Sequence, residues 1–120
     1  MNRAAANPVV HLELQTANLA RAWAFYQELF DWNAEAIRVG SEAYLALELG
    51  VGIQGGVVER EVERPTWLPY VEVPNIENAT ERARTLGAAV RIGPREGPAG
   101  WRCVLAVPCG AEIALWQPKT

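Results

Sequence analysis

The chain carries few side chains that can act in acid–base, nucleophilic or metal chemistry. It has one histidine (His11), one aspartate (Asp31) and two cysteines (Cys103 and Cys109), beside a larger supply of glutamates. His11 is the one side chain whose ordinary pKa lies near neutrality, so it is the first candidate for a general base. The cysteines do not have the close spacing of zinc ligands, and the sequence contains no catalytic triad, nucleophile elbow or phosphate-binding loop. A catalytic or metal site must therefore be built from these four residues, from glutamates or from a partner chain.

The composition is that of one globular domain. The 120 residues carry a net charge of −3 and half of them are hydrophobic, which suits a single domain with a sizeable core. The acidic balance argues against binding to nucleic acid, which requires a concentrated basic face. The N-terminal segment lacks the apolar core of a signal peptide, and no apolar run is long enough to cross a membrane. We therefore expect a cytoplasmic protein whose two thiols are reduced and structural, although a disulfide between them is conceivable.

The first half of the chain predicts a strand, a helix and three further strands. Residues 8–16 alternate in polarity, which places His11 and Glu13 on the polar face of a half-buried strand. Asn18 can cap a helix over residues 18–31, whose apolar residues form one continuous stripe. This stripe consists of Leu19, Ala22, Trp23, Tyr26, Leu29 and Phe30. The later strands are expected at 33–39, 42–49 and 51–59, with turns at Gly40-Ser41 and at Gly50.

The second half repeats this order of elements. The charged stretch 60–65 ends in proline and is the best internal linker. A strand is expected at 66–73, followed by a helix that Asn75 caps and Gly87 ends. Three further strands are expected at 88–93, 100–107 and 111–118.

The repeat predicts an α+β fold of two tandem βαβββ modules within one domain, at about 8–59 and 66–118. A constant shift along the chain places Asn18 on Asn75 and Leu29 on Leu86. Because each module alone is too small to cover its sheet, we expect the two to pair with each other or to exchange with a partner chain in a homodimer.

Two glycine-rich segments call for special backbone geometry. Gly55-Gly56 lies within an expected strand and indicates a bulge that curves the sheet. Residues 93–100 are rich in glycine and proline and indicate a mobile loop over a cleft.

The two modules together resemble the vicinal oxygen chelate superfamily, which includes glyoxalase I, extradiol dioxygenases and bleomycin-resistance proteins. The resemblance rests on the opening VHLELQTANLARAWAFYQELFDW, on YVEVPNIENATERARTLGAAV in the second module, and on the closing VPCGAEIALWQP. It covers essentially the whole chain and implies a U-shaped, barrel-like mixed sheet. Because the superfamily hosts many chemistries on one scaffold, the resemblance is specific for fold and weak for function.

Metal-dependent members of the superfamily bind one divalent ion through four His or Glu side chains from the first and last strand of each module. The resemblance places these positions at His11, Gln54, Leu68 and Ala114. His11 is the one strong ligand among them, because leucine and alanine cannot coordinate an ion and an amide is neutral. We therefore expect no metal cofactor. The alternative is one divalent ion at a displaced site, formed by His11, Glu72 and Glu112.

Several other side chains are predicted to line a ligand cleft. Trp67, Trp101 and Trp116 lie on or beside strands of the second module, and aromatic walls are usual in small-molecule sites. Trp116 shares strand parity with Ala114 and is the best candidate for stacking on a ligand. The remaining predicted contacts are Glu13, Gln54, Tyr70 and Arg102, together with His11. Arg95 or Arg102 could bind an anionic group, whereas Glu13 and Glu72 could share a proton or be two solvated carboxylates.

Three functions follow from these features. The first is a metal-free binding protein that encloses a hydrophobic or aromatic small molecule, as bleomycin-resistance proteins do. The second is a metal-dependent lyase, isomerase or dioxygenase with a displaced site near His11. The third is a metal-free enzyme that uses a base, for which the candidates are His11, Glu72 and Glu112.

Overall fold

A computed structural model describes residues 7–39 and 42–119. The predicted turn at Gly40-Ser41 lies outside these residues. The elements follow the order β1 (Val9–Thr16), α1 (Leu19–Phe30), β2 (Ala34–Val39), β3 (Glu42–Gly50), β4 (Ile53–Glu59), β5 (Thr66–Glu72), α2 (Ile76–Thr85), β6 (Ala89–Glu96), β7 (Gly100–Ala106) and β8 (Glu112–Pro118). Every predicted helix and strand is present.

Residues 10–68 form one compact unit, here called the first unit. Its strands run in the order β2-β3-β4-β1, and β1 pairs with β4 in parallel while the other pairs are antiparallel. Helix α1 covers one face, where Leu14, Leu47 and Val57 form a buried cluster. The opposite face of these strands, called the helix-free face, carries the residues of the other parity, including His11 and Glu13.

Helix α1 begins at the predicted cap. The side chain of Asn18 accepts a hydrogen bond from the backbone N–H of Arg21 at 3.0 Å, and Glu59 accepts one from the N–H of Leu19 at 3.0 Å. The apolar stripe, however, is only partly buried, because Leu29 and Phe30 at its end remain 58% and 49% exposed. These two residues lie beyond the part of the helix that contacts the strands.

Residues 69–119 and 7–9 form the second compact unit. Its strands run in the order β5-β8-β7-β6, with β5 and β8 parallel and the other pairs antiparallel. Helix α2 packs on one face, over a buried cluster that contains Ile76, Cys103 and Leu115. The predicted cap is confirmed, since Asn75 accepts from the N–H of Asn78 at 2.9 Å. The opposite face of these strands is the helix-free face of this unit.

The two units repeat the same connectivity and the same supports. Both place a parallel pair between the first and fourth strand, and both use a side chain of the fourth strand to cap the helix. In the second unit this residue is Gln117, which accepts from the N–H of Ile76 at 2.8 Å, as Glu59 does for α1. The α+β fold of two βαβββ modules is therefore confirmed.

Three local predictions are wrong. The pairing of β4 with β1 and β3 continues through Gly55-Gly56 without a bulge, and the register shift lies instead between Glu48 and Gly50. The first half of the predicted loop 93–100 belongs to β6, the last strand in the order of the second unit, where a proline is tolerated. Cys109 is exposed, so only Cys103 has a structural role in the core.

Neither helix in the described part of the chain has the length and apolar content that a membrane crossing requires.

Candidate functional site

The central feature of the first unit is a contact between His11 and Tyr44 on the helix-free face. The hydroxyl of Tyr44 lies 3.0 Å from Nε2 of His11, although β4 separates the strands that carry them. The tyrosine ring crosses β4 above Gly56, where any side chain would overlap with the phenol ring. Gly55 is likewise backed by Leu49 on the opposite face. The two glycines therefore make room for one side chain on each face of β4. This is the reason for the Gly55-Gly56 motif, which the sequence analysis had interpreted as a bulge.

Burial lowers the pKa of His11 and favours its neutral form. It lowers the pKa of the imidazole below 6.5, because a charged ring loses hydration, while the carboxylate of Glu13 acts in the opposite direction and raises that pKa. The neutral imidazole is thus favoured near neutral pH, and it offers one nitrogen that can accept a proton. Glu13 is itself buried and accepts a hydrogen bond from Nε2 of Gln15 at 3.1 Å.

A row of three polar residues extends from His11 across the first unit. His11 pairs with Gln54 on β4, and Gln54 pairs with Glu48 on β3, so all three project from the helix-free face. Gln54 and Glu48 also line a cavity of about 460 Å³ at the β3–β4 turn. The rest of its lining consists of Leu47, Leu49, Gly50, Val51 and Ile53. This row brings a carboxylate and an amide into the lining of the cavity and an imidazole next to them in the sheet.

The sequence interpretation missed Tyr44 and Glu48. Both lie on the face of β3 opposite to Leu45, Leu47 and Leu49. The alternation of polar and apolar residues along this strand could have shown that Tyr44 and Glu48 share a face. Their distance from His11 depends on strand order and register, which the alternation of a single strand does not contain.

The second unit carries a cluster of Tyr70, Arg102 and Trp116 on its helix-free face. Nη1 of Arg102 donates a hydrogen bond to the hydroxyl of Tyr70 at 3.1 Å. The rings of Tyr70 and Trp116 meet edge to face, with centroids 6.4 Å apart, and Arg102 pairs directly with Trp116 across β7 and β8. Buried Gly100 leaves room for the indole, since a Cβ there would lie 2.8 Å from Cζ2 of Trp116. The three predicted ligand contacts are therefore brought together.

Two of the predicted cleft tryptophans lie elsewhere. Trp101 packs against the core beneath α2, with Nζ of Lys119 5.5 Å above its ring. It cannot share a face with Arg102, because neighbours in a strand point to opposite sides. Trp67 packs in the core of the first unit, where its Nε1 donates to the hydroxyl of Tyr26 at 3.2 Å. Both placements contradict the predicted role in lining a cleft.

The positions that hold metal ions in related proteins do not fit an ion here. In the first unit they are His11 and Gln54, which are direct neighbours across β1 and β4. In the second unit Ala114 pairs with Tyr70 rather than with Leu68. The guanidinium of Arg102 is bonded to Tyr70 and would repel a cation. No described group of three or more His, Cys, Asp or Glu side chains could hold a metal ion.

The displaced site is not assembled either. Glu72 pairs with Trp116, and Glu112 lies four positions earlier on β8, about 13 Å away along the strand. Glu112 instead forms an ion pair with Arg91 at 3.5 Å. These two carboxylates cannot share one ion.

The fold and the sequence together define the class of this protein. Two βαβββ modules, each with its first and fourth strands parallel, are the architecture of the vicinal oxygen chelate superfamily, as the resemblance implied. Residues 10–116 match the glyoxalase-like domain family, and the chain belongs to that family.

Solved structures with the same fold include enzymes. A hypothetical protein from Bacillus halodurans C-125 has a TM-score of 0.75 at 14% identity, with 97% of each chain covered. Methylmalonyl-CoA epimerase from Mycobacterium tuberculosis has a TM-score of 0.69 at 16% identity, with 100% of this chain and 94% of that chain covered. The Streptomyces coelicolor epimerase in complex with 2-nitronate-propionyl-CoA has a TM-score of 0.68 at 13% identity, with 93% and 94% covered. At these identities the likeness concerns the fold. No functionally curated protein matches the sequence significantly.

Proposed function

We propose that this glyoxalase-like protein binds a small molecule with an aromatic or hydrophobic body on the helix-free face of the second unit. The observation that carries the proposal is the cluster of Tyr70, Arg102 and Trp116, in which a half-buried guanidinium borders two aromatic rings. Apolar walls with a few fixed polar groups are the usual design of small-molecule sites. The poor donor set at the expected ligand positions His11, Gln54, Leu68 and Ala114 supports binding that does not depend on an ion.

The cluster is suited to recognition because its parts hold one another in place. The hydrogen bond from Arg102 to Tyr70 fixes the guanidinium plane, and the edge-to-face contact fixes both rings. A site whose side chains are already ordered loses less conformational entropy when a ligand binds. Trp116 would supply the largest apolar contact.

Binding can be tested by tryptophan fluorescence and by the indole N–H signals in NMR spectra. The probes are neutral and anionic naphthalene, indole and phenyl compounds. We expect saturable binding that shifts the Trp116 signal and weakens several-fold in Trp116→Ala. Trp101→Phe is the matched control, since Trp101 lies in the same sheet on the helix side. The proposal is wrong if no compound binds, or if Trp116→Ala leaves every affinity unchanged.

A second candidate function is metal-independent proton transfer by His11. The observation that favours it is the hydrogen bond between the lone histidine and Tyr44, at an imidazole whose pKa burial lowers. A neutral imidazole can remove an acidic C–H proton from a carbon next to a carbonyl group, and a phenol can position or return the proton.

Methylmalonyl-CoA is a suitable probe for this second function, because several proteins of the same fold are methylmalonyl-CoA epimerases. In D₂O, transfer of its C2 proton would appear as loss of the C2–H signal. We expect the rate to fall strongly in His11→Asn and less in Tyr44→Phe. Exchange that is absent, or that persists unchanged in His11→Asn, would exclude this function for the probe.

A further inference from the structure

Two arginines stand opposite each other at the edge of the Tyr70, Arg102 and Trp116 cluster. Arg95 on β6 pairs directly with Arg102 on β7. In an antiparallel pair, directly opposed residues project from the same face with Cβ atoms roughly 5 Å apart. Because Trp101 and Cys103 on either side of Arg102 face the core, this shared face is the helix-free one. Arg95 is exposed and Arg102 is half-buried.

The pair is not neutralised by carboxylates in residues 7–39 and 42–119. Like charges directly opposite on neighbouring strands are destabilising, whereas pairs of opposite charge are stabilising. The strands of the second unit carry three carboxylates: Glu72, which the width of β8 separates from Arg102, Glu96, paired with Lys119 at 2.7 Å, and Glu112, paired with Arg91 at 3.5 Å. No described carboxylate forms an ion pair with Arg95 or Arg102. The sheet therefore keeps two adjacent positive charges on one face.

Arg102 is also held in a defined orientation. Its Nη1 is bonded to the hydroxyl of Tyr70, which leaves the other guanidinium N–H groups to reach an acceptor. Guanidinium groups match the paired oxygens of carboxylate and phosphate groups, and such charge-assisted bonds are the stronger kind. An anionic group bound between the arginines would lie beside the ring of Trp116, the direct partner of Arg102 on β8.

We propose that Arg95 and Arg102 form an anion-binding subsite, which selects small molecules that join an aromatic or hydrophobic body to a carboxylate or phosphate group. This inference rests on the proposed binding function and specifies that the ligand is negatively charged. The anion offsets the repulsion within the arginine pair, so its binding also stabilises the fold of the second unit. The net negative charge of the whole chain does not oppose this, since screening limits interactions between distant exposed charges.

Three matched probes test the subsite: 2-naphthoate, 2-naphthyl phosphate and the neutral 2-naphthamide. Calorimetry at low and moderate salt should show that one or both anions bind about tenfold or more tightly than the amide. This preference should shrink with added salt and should be lost in Arg95→Gln and in Arg102→Gln. Comparison of the two anions decides between carboxylate and phosphate. Arg84→Gln is the charge-matched control, because Arg84 lies on α2 in an exposed ion pair with Glu81.

The outcomes separate the subsite from the binding function itself. If all three probes bind with equal affinity at Trp116, the anion subsite is wrong and the binding function stands. If the anions are preferred but Arg95→Gln and Arg84→Gln lower their affinity equally, the effect is general charge and the subsite is again wrong. If none of the probes binds, both proposals fail. Should Arg102→Gln not fold, exposed Arg95 still provides the test.

Discussion

The hydroxyl of Tyr44 lies 3.0 Å from Nε2 of His11, across the width of an intervening strand. The second unit repeats this relationship with other chemistry, since Arg102 on β7 reaches past β8 to the hydroxyl of Tyr70 on β5. In both units a side chain of the third strand bonds to a side chain of the first. The repeat thus preserves a bridge on the helix-free face, with an imidazole–phenol pair in one unit and a guanidinium–phenol pair in the other.

Gly56 should be essential for the bridge in the first unit. A methyl group there would overlap with the phenol of Tyr44, so Gly56→Ala must displace the ring from His11. We expect a loss of about 1–3 kcal/mol of unfolding free energy and a changed NMR spectrum of the imidazole. Urea denaturation and the His11 ring signals, which are unambiguous because the chain has one histidine, provide the measurement.

Two controls separate this clash from a general effect of alanine in a strand. Gly93→Ala places a methyl group where no heavy atom lies within 4 Å, so its cost should be small. In a Tyr44→Ala background, Gly56→Ala should also cost much less, because the phenol is gone. An equal cost of Gly56→Ala in both backgrounds would contradict the assigned contact.

His11 should make the stability of the protein depend on pH near neutrality. Its pKa is lowered in the folded protein, mainly by burial, so the unfolded chain binds more protons over the interval below 6.5. Stability therefore rises with pH across this interval and is lost as the pH falls from 6.5 toward the folded pKa. Urea unfolding between pH 5 and 8 should show this slope, and His11→Gln should flatten it.

The carboxylate of Glu13 provides a second test of what determines the pKa of His11. Glu13 raises the pKa of His11, so Glu13→Gln should lower it further in an NMR titration. A folded-state pKa at or above 6.5, or a rise of that pKa in Glu13→Gln, would show that the environment of His11 is assigned incorrectly.

The helices and strands could be predicted from the sequence, whereas the side-chain contacts between strands could not. Period-2 and period-3.6 patterns with Asn18, Asn75 and Gly87 at helix ends predicted every helix and strand, because these signals are local. Strand parity was less secure on β7, where Cys103 and Val104 are both buried and both faces are therefore apolar. Alternation could not show there which of two neighbouring residues faces the helix.

The register between β5 and β8 was not predicted, for a related reason. The helices match under one constant shift, which placed the counterpart of His11 at Leu68, and the family resemblance placed the last ligand position at Ala114. The observed pairing sets Ala114 opposite Tyr70, two residues from Leu68 along β5. A two-residue change preserves the face of a strand, so the polarity pattern could not reveal it.

The cap of α2 should contribute measurably to stability. Asn75 accepts from the N–H of Asn78 at 2.9 Å, one of the helical N–H groups that have no partner within the helix. Asn75→Ala should therefore cost about 0.5–2 kcal/mol, while Asn75→Asp or Asn75→Ser should retain most of the stability. Thermal and urea unfolding of the three variants test this, and equal losses in all three would contradict a capping role.

Because the apolar stripe of α1 is only partly buried, we expect very different effects on stability from substitution of two leucines of the first unit. Leu14 is 3% exposed and belongs to the buried cluster beneath α1, so Leu14→Ala should cost about 2–5 kcal/mol through lost burial and the cavity left behind. Leu29 is 58% exposed, and Leu29→Ala should change stability by about 0.5 kcal/mol or less, since alanine is also a good helix former. Urea unfolding of both variants distinguishes the observed packing from a stripe that is buried along its whole length. A large loss in Leu29→Ala would mean that the end of α1 is covered in solution, for example by the second copy of the chain that the sequence predicts.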